Sequence, residues 1–99
     1  MRLRRVKPVH TVTGTVRDIN DDIVALTGPW GTTSESDVLA NIRDGSATYV
    51  VYAPDGRRHT VSVRRGATAE FLWVSWGEET FNNLDDLPRR NAHRHRMPS

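Results

Sequence analysis

The chain contains no cysteine. Disulfides, zinc-thiolate centres and thiol nucleophiles are therefore excluded together. It also lacks long apolar runs: the basic opening MRLRRVKPVH is followed by no stretch that could form a signal-peptide core or a membrane span, so neither is expected and a cytoplasmic location is. Lysine is nearly missing, with Lys7 standing against thirteen arginines. That bias points to a GC-rich bacterial or phage genome and carries no functional information. Internal repeats and low-complexity blocks are absent as well, and ninety-nine residues leave room for one domain with one modest core.

Charge is present but unevenly placed. Arg2, Arg4, Arg5 and Lys7 crowd one end and Arg89, Arg90, Arg94 and Arg96 the other, eight of the fourteen bases. Between Pro8 and Pro88 six bases face all twelve acids, a net of −6. The central module is acidic and its ends are basic.

Patterning predicts an α+β domain over residues 9–88, with a flexible basic arm at 1–8 and a disordered basic tail at 89–99. Residues 9–17, VHTVTGTVR, alternate as a strand with Val12 and Val16 on one face. After the turn Asn20-Asp21-Asp22, residues 22–27 form a second strand, pairing with the first as a hairpin. Gly28-Pro29 ends it. Ser34 with Asp37 three residues on resembles a capping box, Val38, Leu39 and Ile42 share one helical face, and Gly45 suits a C-cap, which together predict a helix over 34–44. Residues 47–53 and 59–65 make a hairpin through Pro54-Asp55-Gly56. Residues 70–76, EFLWVSW, are apolar on both faces and read as a central strand. The expected order is ββαβββ, a two-layer domain with one helix on one face of a mainly antiparallel sheet of about five strands.

No catalytic constellation emerges, so the chain is expected not to be an enzyme and to need no cofactor or metal. His93 and His95 lie in the tail without further ligands. His10 and His59 could be drawn with Ser62 or Ser75 as base and nucleophile, but no Gly-x-Ser-x-Gly elbow positions them. Glu78, Glu79, Asp85 and Asp86 lack the alternating oxygen ligands and central glycine of a calcium loop. One helix covers only one sheet face, which leaves an apolar strip among Trp30, Leu72, Trp73, Val74 and Trp76. Either a protein partner or a second copy meets that strip, or the Pro29-Trp30 loop and the C-terminal segment fold over it.

A second function class rests on the ends. Arg2, Arg4, Arg5, Lys7, Arg89, Arg90, Arg94 and Arg96 could contact phosphates in a salt-sensitive, sequence-independent way, making the chain an accessory nucleic-acid binder. Within the module the basic cluster is Arg57, Arg58, Arg64 and Arg65, which could equally be a solvated edge that discourages strand pairing. The leading expectation is a non-enzymatic protein-interaction module.

The closing residues Asn82-Asn83-Leu84-Asp85-Asp86-Leu87-Pro88, together with Phe71-Leu72 and the helix start Ser36-Asp37-Val38, resemble a group of small bacterial and phage domains, the domain-of-unknown-function family number three-eight-nine-two. The likeness runs from about Val12 to Pro88, with NNLDDLP as its most specific part. The chain departs from the family pattern at Trp73-Val74 and at Gly77-Glu78-Glu79. The resemblance implies a fold and carries no catalytic residues. On this reading Asn82 and Asn83 bond nearby backbone, Leu84 and Leu87 enter the core, and Pro88 ends a segment that seals the domain.

Overall fold

The computed structural model describes residues 7–77 and 80–92 and shows an α+β architecture of short strands around one helix. The strands are β1 (Val9–Thr11), β2 (Gly14–Arg17), β3 (Ile23–Gly28) and β4 (Gly31–Ser34), followed by α1 (Glu35–Asp44), then β5 (Thr48–Tyr52), β6 (Arg58–Thr60), β7 (Ser62–Arg65), β8 (Glu70–Trp73) and β9 (Arg89–Asn91). A single 3-10 turn, Asn83–Asp86, lies before β9. Three sheets result: β4-β3-β2-β9, β1-β5-β6 and the hairpin β7-β8. Among the described residues, no helix is long and apolar enough to cross a membrane.

The strand expected over 9–17 is two strands that serve different sheets. β1 runs parallel to β5, and after Val12 and Thr13 the chain enters β2, antiparallel to β3. Val12 still donates its N–H to Val50 O at 2.8 Å, whereas Thr13 donates to Thr27 O at 2.9 Å. The change of partner breaks the two-residue alternation. Val12 therefore joins the core, while Val16, paired with Ala25, is buried outside that cluster.

Gly28 permits a close approach at this seam. A β-carbon there would collide with the Thr11 carbonyl and the Trp30 indole nitrogen, and the space left free lets that nitrogen donate to Thr11 O at 2.7 Å. The Gly28-Pro29-Trp30 break becomes a tight reversal into β4, a strand where the sequence suggested only loop.

The helix begins and ends as its sequence predicts. Ser34 caps it by accepting from the Asp37 N–H at 3.2 Å, and Gly45 closes it in the left-handed region at φ 74°. Val38 is fully buried, with Leu39 and Ile42 packed beside it. The Pro54-Asp55-Gly56 turn also forms as read: the Gly56 N–H reaches Ala53 O at 2.8 Å and Asp55 accepts from the Arg57 N–H.

Three expectations need correction. The sheet of about five strands is, among the described residues, nine short strands in three sheets, and two of the six strand pairings are parallel. Residues 70–76 are a strand only as far as Trp73, and β8 is the edge of a hairpin instead of a central strand. Residues 89–92 of the expected tail are ordered, the rest lying outside the described residues: β9 lies parallel to β2, with Thr15 donating to Pro88 O at 2.9 Å and Ala92 to Arg17 O at 2.8 Å. An arginine-rich segment forms a strand here because its backbone is paired, not because its side chains are buried.

The free side of β8 is closed by side chains. Asn82 Nδ2 donates to Leu72 O at 2.9 Å, while its Oδ1 accepts from the Val74 N–H at 3.2 Å. The Asn83 N–H then reaches Val74 O at 2.7 Å, and Asn83 Oδ1 accepts from the Trp76 N–H at 2.9 Å. Two amide side chains thus do the work of a missing neighbouring strand. They also fix Leu84 in the core beside Val38, Leu72 and Val74, with Leu87 packed against it.

Two substitutions test this closure. Leu84→Ala is expected to lower the unfolding free energy by about 3 kcal/mol through cavity formation. Asn82→Ala, which strands the Leu72 and Val74 backbone groups, is expected to cost about 2 kcal/mol. Urea titration measures both, and an Asn82→Ala variant as stable as the parent would show that the clasp does not hold the fold.

Candidate interaction surface

Side chains along a strand alternate between faces, and burial identifies the faces of the β6–β8 region. Val61, Leu72 and Val74 are each at most 2% exposed, with Val63 packed against the same core. Ser62 and Arg64, paired with Trp73 and Phe71, take the opposite face. β6 runs into β7 through Val61, which still bonds β5 by donating to Tyr49 O at 2.8 Å. Arg58, Thr60, Ser62 and Arg64 therefore follow one another along one outer face, and all four are exposed.

At the end of this row the Arg64 guanidinium carbon sits 4.2 Å from the centre of the Trp73 ring. Phe71 meets Trp73 edge to face at 6.2 Å. Such a stack holds an aromatic plane and a charge in one fixed orientation. At the other end Tyr52, opposite Arg58, is 51% exposed. The single carboxylate in β5 to β8, Glu70, is engaged elsewhere, with Arg43 of α1 and with Arg65.

The five residues expected to form one apolar strip are dispersed. Leu72 and Val74 belong to the core, because α1 and Leu84 close over their face, so they form no partner surface. Trp30 packs against the core with its ring 4.9 Å from His10 and 6.0 Å from Tyr49. Trp76 packs against the core beside His59, ring centres 6.1 Å apart. Trp73 alone points outward, and its companions Phe71, Arg64 and Tyr52 were not among the five. Strict alternation from Arg58 to Arg64 was the signal that could have found them.

The structure does bring His59, Ser62 and Ser75 around one groove of about 430 Å³. Ser62 Oγ, however, points to Trp73 O at 3.4 Å, and His59 lies against Trp76. Among the described residues, no cluster of three His, Asp or Glu side chains could hold a metal ion.

Of the basic ends, Lys7 and Arg90 are exposed, and Arg2, Arg4, Arg5, Arg94 and Arg96 lie outside the described residues, as do His93 and His95. Arg89 is exposed and pairs with Asp21, its Nη1 donating to both carboxylate oxygens, at 2.5 and 2.7 Å. Nearby, Arg17 is 4% exposed and fully engaged, donating to Thr15 Oγ1, Asp21 O and Asp85 Oδ1. These pairs line a second groove of about 670 Å³ with Asp22, Glu35 and Asn82. Nothing in the local sequence marked Arg17 as buried, because its carboxylate partner is sixty-eight residues away.

The hydrogen bond from Arg89 holds the Asp21 carboxyl below its ordinary value of 3.8. Glu35 moves the other way, raised from 4.5 by burial first and by the nearby Asp22 charge second. No family model matches this chain, and no curated protein or solved structure does.

A carboxyl whose pKa falls on folding stabilises the fold above its unfolded value and loses that effect as pH drops through the folded one. The Asp21 contribution is therefore complete at neutral pH and is lost below 3.8. Asp21→Asn is expected to flatten this part of the acid limb, read as urea midpoints at neutral pH and near pH 3. An acid limb unchanged by the substitution would exclude Asp21 as a source of acid sensitivity.

Proposed function

We propose that the chain is a non-enzymatic protein-interaction module whose contact surface is the outer face of β6 to β8. One observation carries the proposal: Arg64 is stacked on the outward face of Trp73, on a side of the hairpin opposite to α1 and the core. Trp, Tyr and Arg are the residue types that dominate binding energy at protein interfaces, and Trp73, Tyr52, Arg64 and Arg58 stand together on this face. The stack supports the reading because it offers a partner an aromatic plane and a charge whose ordering cost is already met within the free protein. The likeness of NNLDDLP to family three-eight-nine-two belongs to the same proposal, in which that motif seals the domain and carries no ligand.

A photo-crosslinking side chain at Ser62, with Thr32 on β4 as the control site, tests this in the living host. Protein adducts from Ser62 that are absent from Thr32 are expected, and they should be lost when Trp73→Ala is added. Equal labelling from both sites, or none from Ser62, would overturn the proposal.

The alternative, nucleic-acid contact through the termini, has less to support it because Arg89 is committed to Asp21 and to β9. Cutting the chain before Arg89 would remove a strand as well as charge. A truncation after Ala92 is the cleaner test, and on the interaction reading it leaves binding of a single-stranded oligonucleotide unchanged at low salt.

A further inference from the structure

The face described above has a charge pattern of its own, and the pattern selects a partner. The module from Pro8 to Pro88 carries −6 overall, yet the outer residues of β6 to β8 carry no carboxylate. Arg58 and Arg64 are exposed, and among the described residues neither has a carboxylate within ion-pair distance. Between them lie the hydroxyls of Thr60 and Ser62, with Trp73 and Phe71 alongside. The two arginines are six positions apart along β6 and β7, about 20 Å if fully extended.

We propose that this face receives an acidic, extended protein segment with two carboxylates about six residues apart and an apolar side chain between them. The inference rests on the interaction reading and names the chemistry of its partner. One carboxylate pairs with Arg58 and one with Arg64, while the apolar residue packs on the exposed edges of Trp73 and Phe71. Guanidinium groups bind carboxylates through paired donors, and Arg64 can offer its free edge without leaving the indole.

The segment lies across the face and does not lengthen the sheet. Strand addition along β8 is blocked, because Asn82 already occupies Leu72 O and the Val74 N–H there. A polynucleotide fits less well. It brings a phosphate at every nucleotide, whereas this face offers two separated cations and is bordered by an acidic module.

Panning a random dodecapeptide display library on the full chain tests the proposal, with the Arg58→Glu/Arg64→Glu variant panned in parallel. The expected result is a consensus of two acidic residues about six apart around an apolar one, absent from the variant, which instead enriches basic residues. In amide NMR spectra, a synthetic consensus peptide should shift Tyr52, Arg58, Ser62, Arg64 and Trp73, and Trp73→Ala should weaken its Kd about tenfold or more. A glutamine version of the peptide that binds as well, a consensus without acids, no enrichment, or tighter binding of an oligothymidylate at the same residues would each overturn it. If crosslinks from Ser62 still land on protein when panning yields no acidic consensus, the partner chemistry fails and the interaction reading stands. If those crosslinks are themselves missing, the interaction reading fails first.

Discussion

The exposed edge of a β-strand must find hydrogen-bond partners, and how β8 meets that requirement governs the rest of this structure. A backbone group left unpaired in a buried setting costs as much as a lost hydrogen bond or more. Among the described residues, β8 has β7 on one side and no strand on the other. Asn82 and Asn83 supply the missing donors and acceptors from a segment that is not a strand. Asparagine suits this role because one short side chain carries both an N–H donor and a carbonyl acceptor. Serine could not reach both positions, and aspartate would present an acceptor where Leu72 O needs a donor.

Once the two amides are seated, the neighbouring residues have little freedom. Leu84 is driven into the core formed by Val38, Leu72 and Val74. Asp85 then lies within 2.9 Å of the buried Arg17, whose other nitrogens are bound by Thr15 and the Asp21 carbonyl. Burying an arginine is tolerable only when its charge is paired and its donors are satisfied, so the clasp and the Arg17 network depend on one another. Past Pro88 the chain is aimed along β2, and Arg89 meets Asp21 on the β2–β3 turn. The C-terminal strand is thus a consequence of the clasp, held by backbone pairing and an exposed ion pair that by itself contributes little.

Features that are local in the chain were the ones legible in the sequence. The helix could be read because Ser34, Asp37, Val38, Ile42 and Gly45 signal it within one window, and the Pro54-Asp55-Gly56 hairpin because its turn chemistry is contained in three residues. The closing role of NNLDDLP was legible in kind, but its reach was not: Asn82 accepts from the Leu84 N–H beside it, as expected, and also bonds Leu72, ten residues back. What stayed hidden was non-local. The division of residues 9–17 between two sheets depends on β5 and β3 competing for one chain. The burial of Arg17 depends on Asp85. The order at Arg89–Asn91 depends on β2 having a free side, and composition alone made that segment look like a tail.

The candidate surface follows the same division. Alternation placed Phe71 and Trp73 on one face and Leu72, Val74 and Trp76 on the other, and that much holds. Which face is covered was decided by partners remote in sequence: α1 and Leu84 come to the even-numbered side, held there by the Asn82-Asn83 amides at the strand edge. Trp73 is left outward by elimination, half-buried against Phe71 and the Arg64 stack, which offset part of the solvation cost of a large aromatic on a sheet face. The amides that block strand addition at the edge of β8 also leave its outer face as the approachable side of that hairpin. Edge closure and face exposure are therefore one design at β8, since a partner that cannot add a strand there meets the side chains of its outer face.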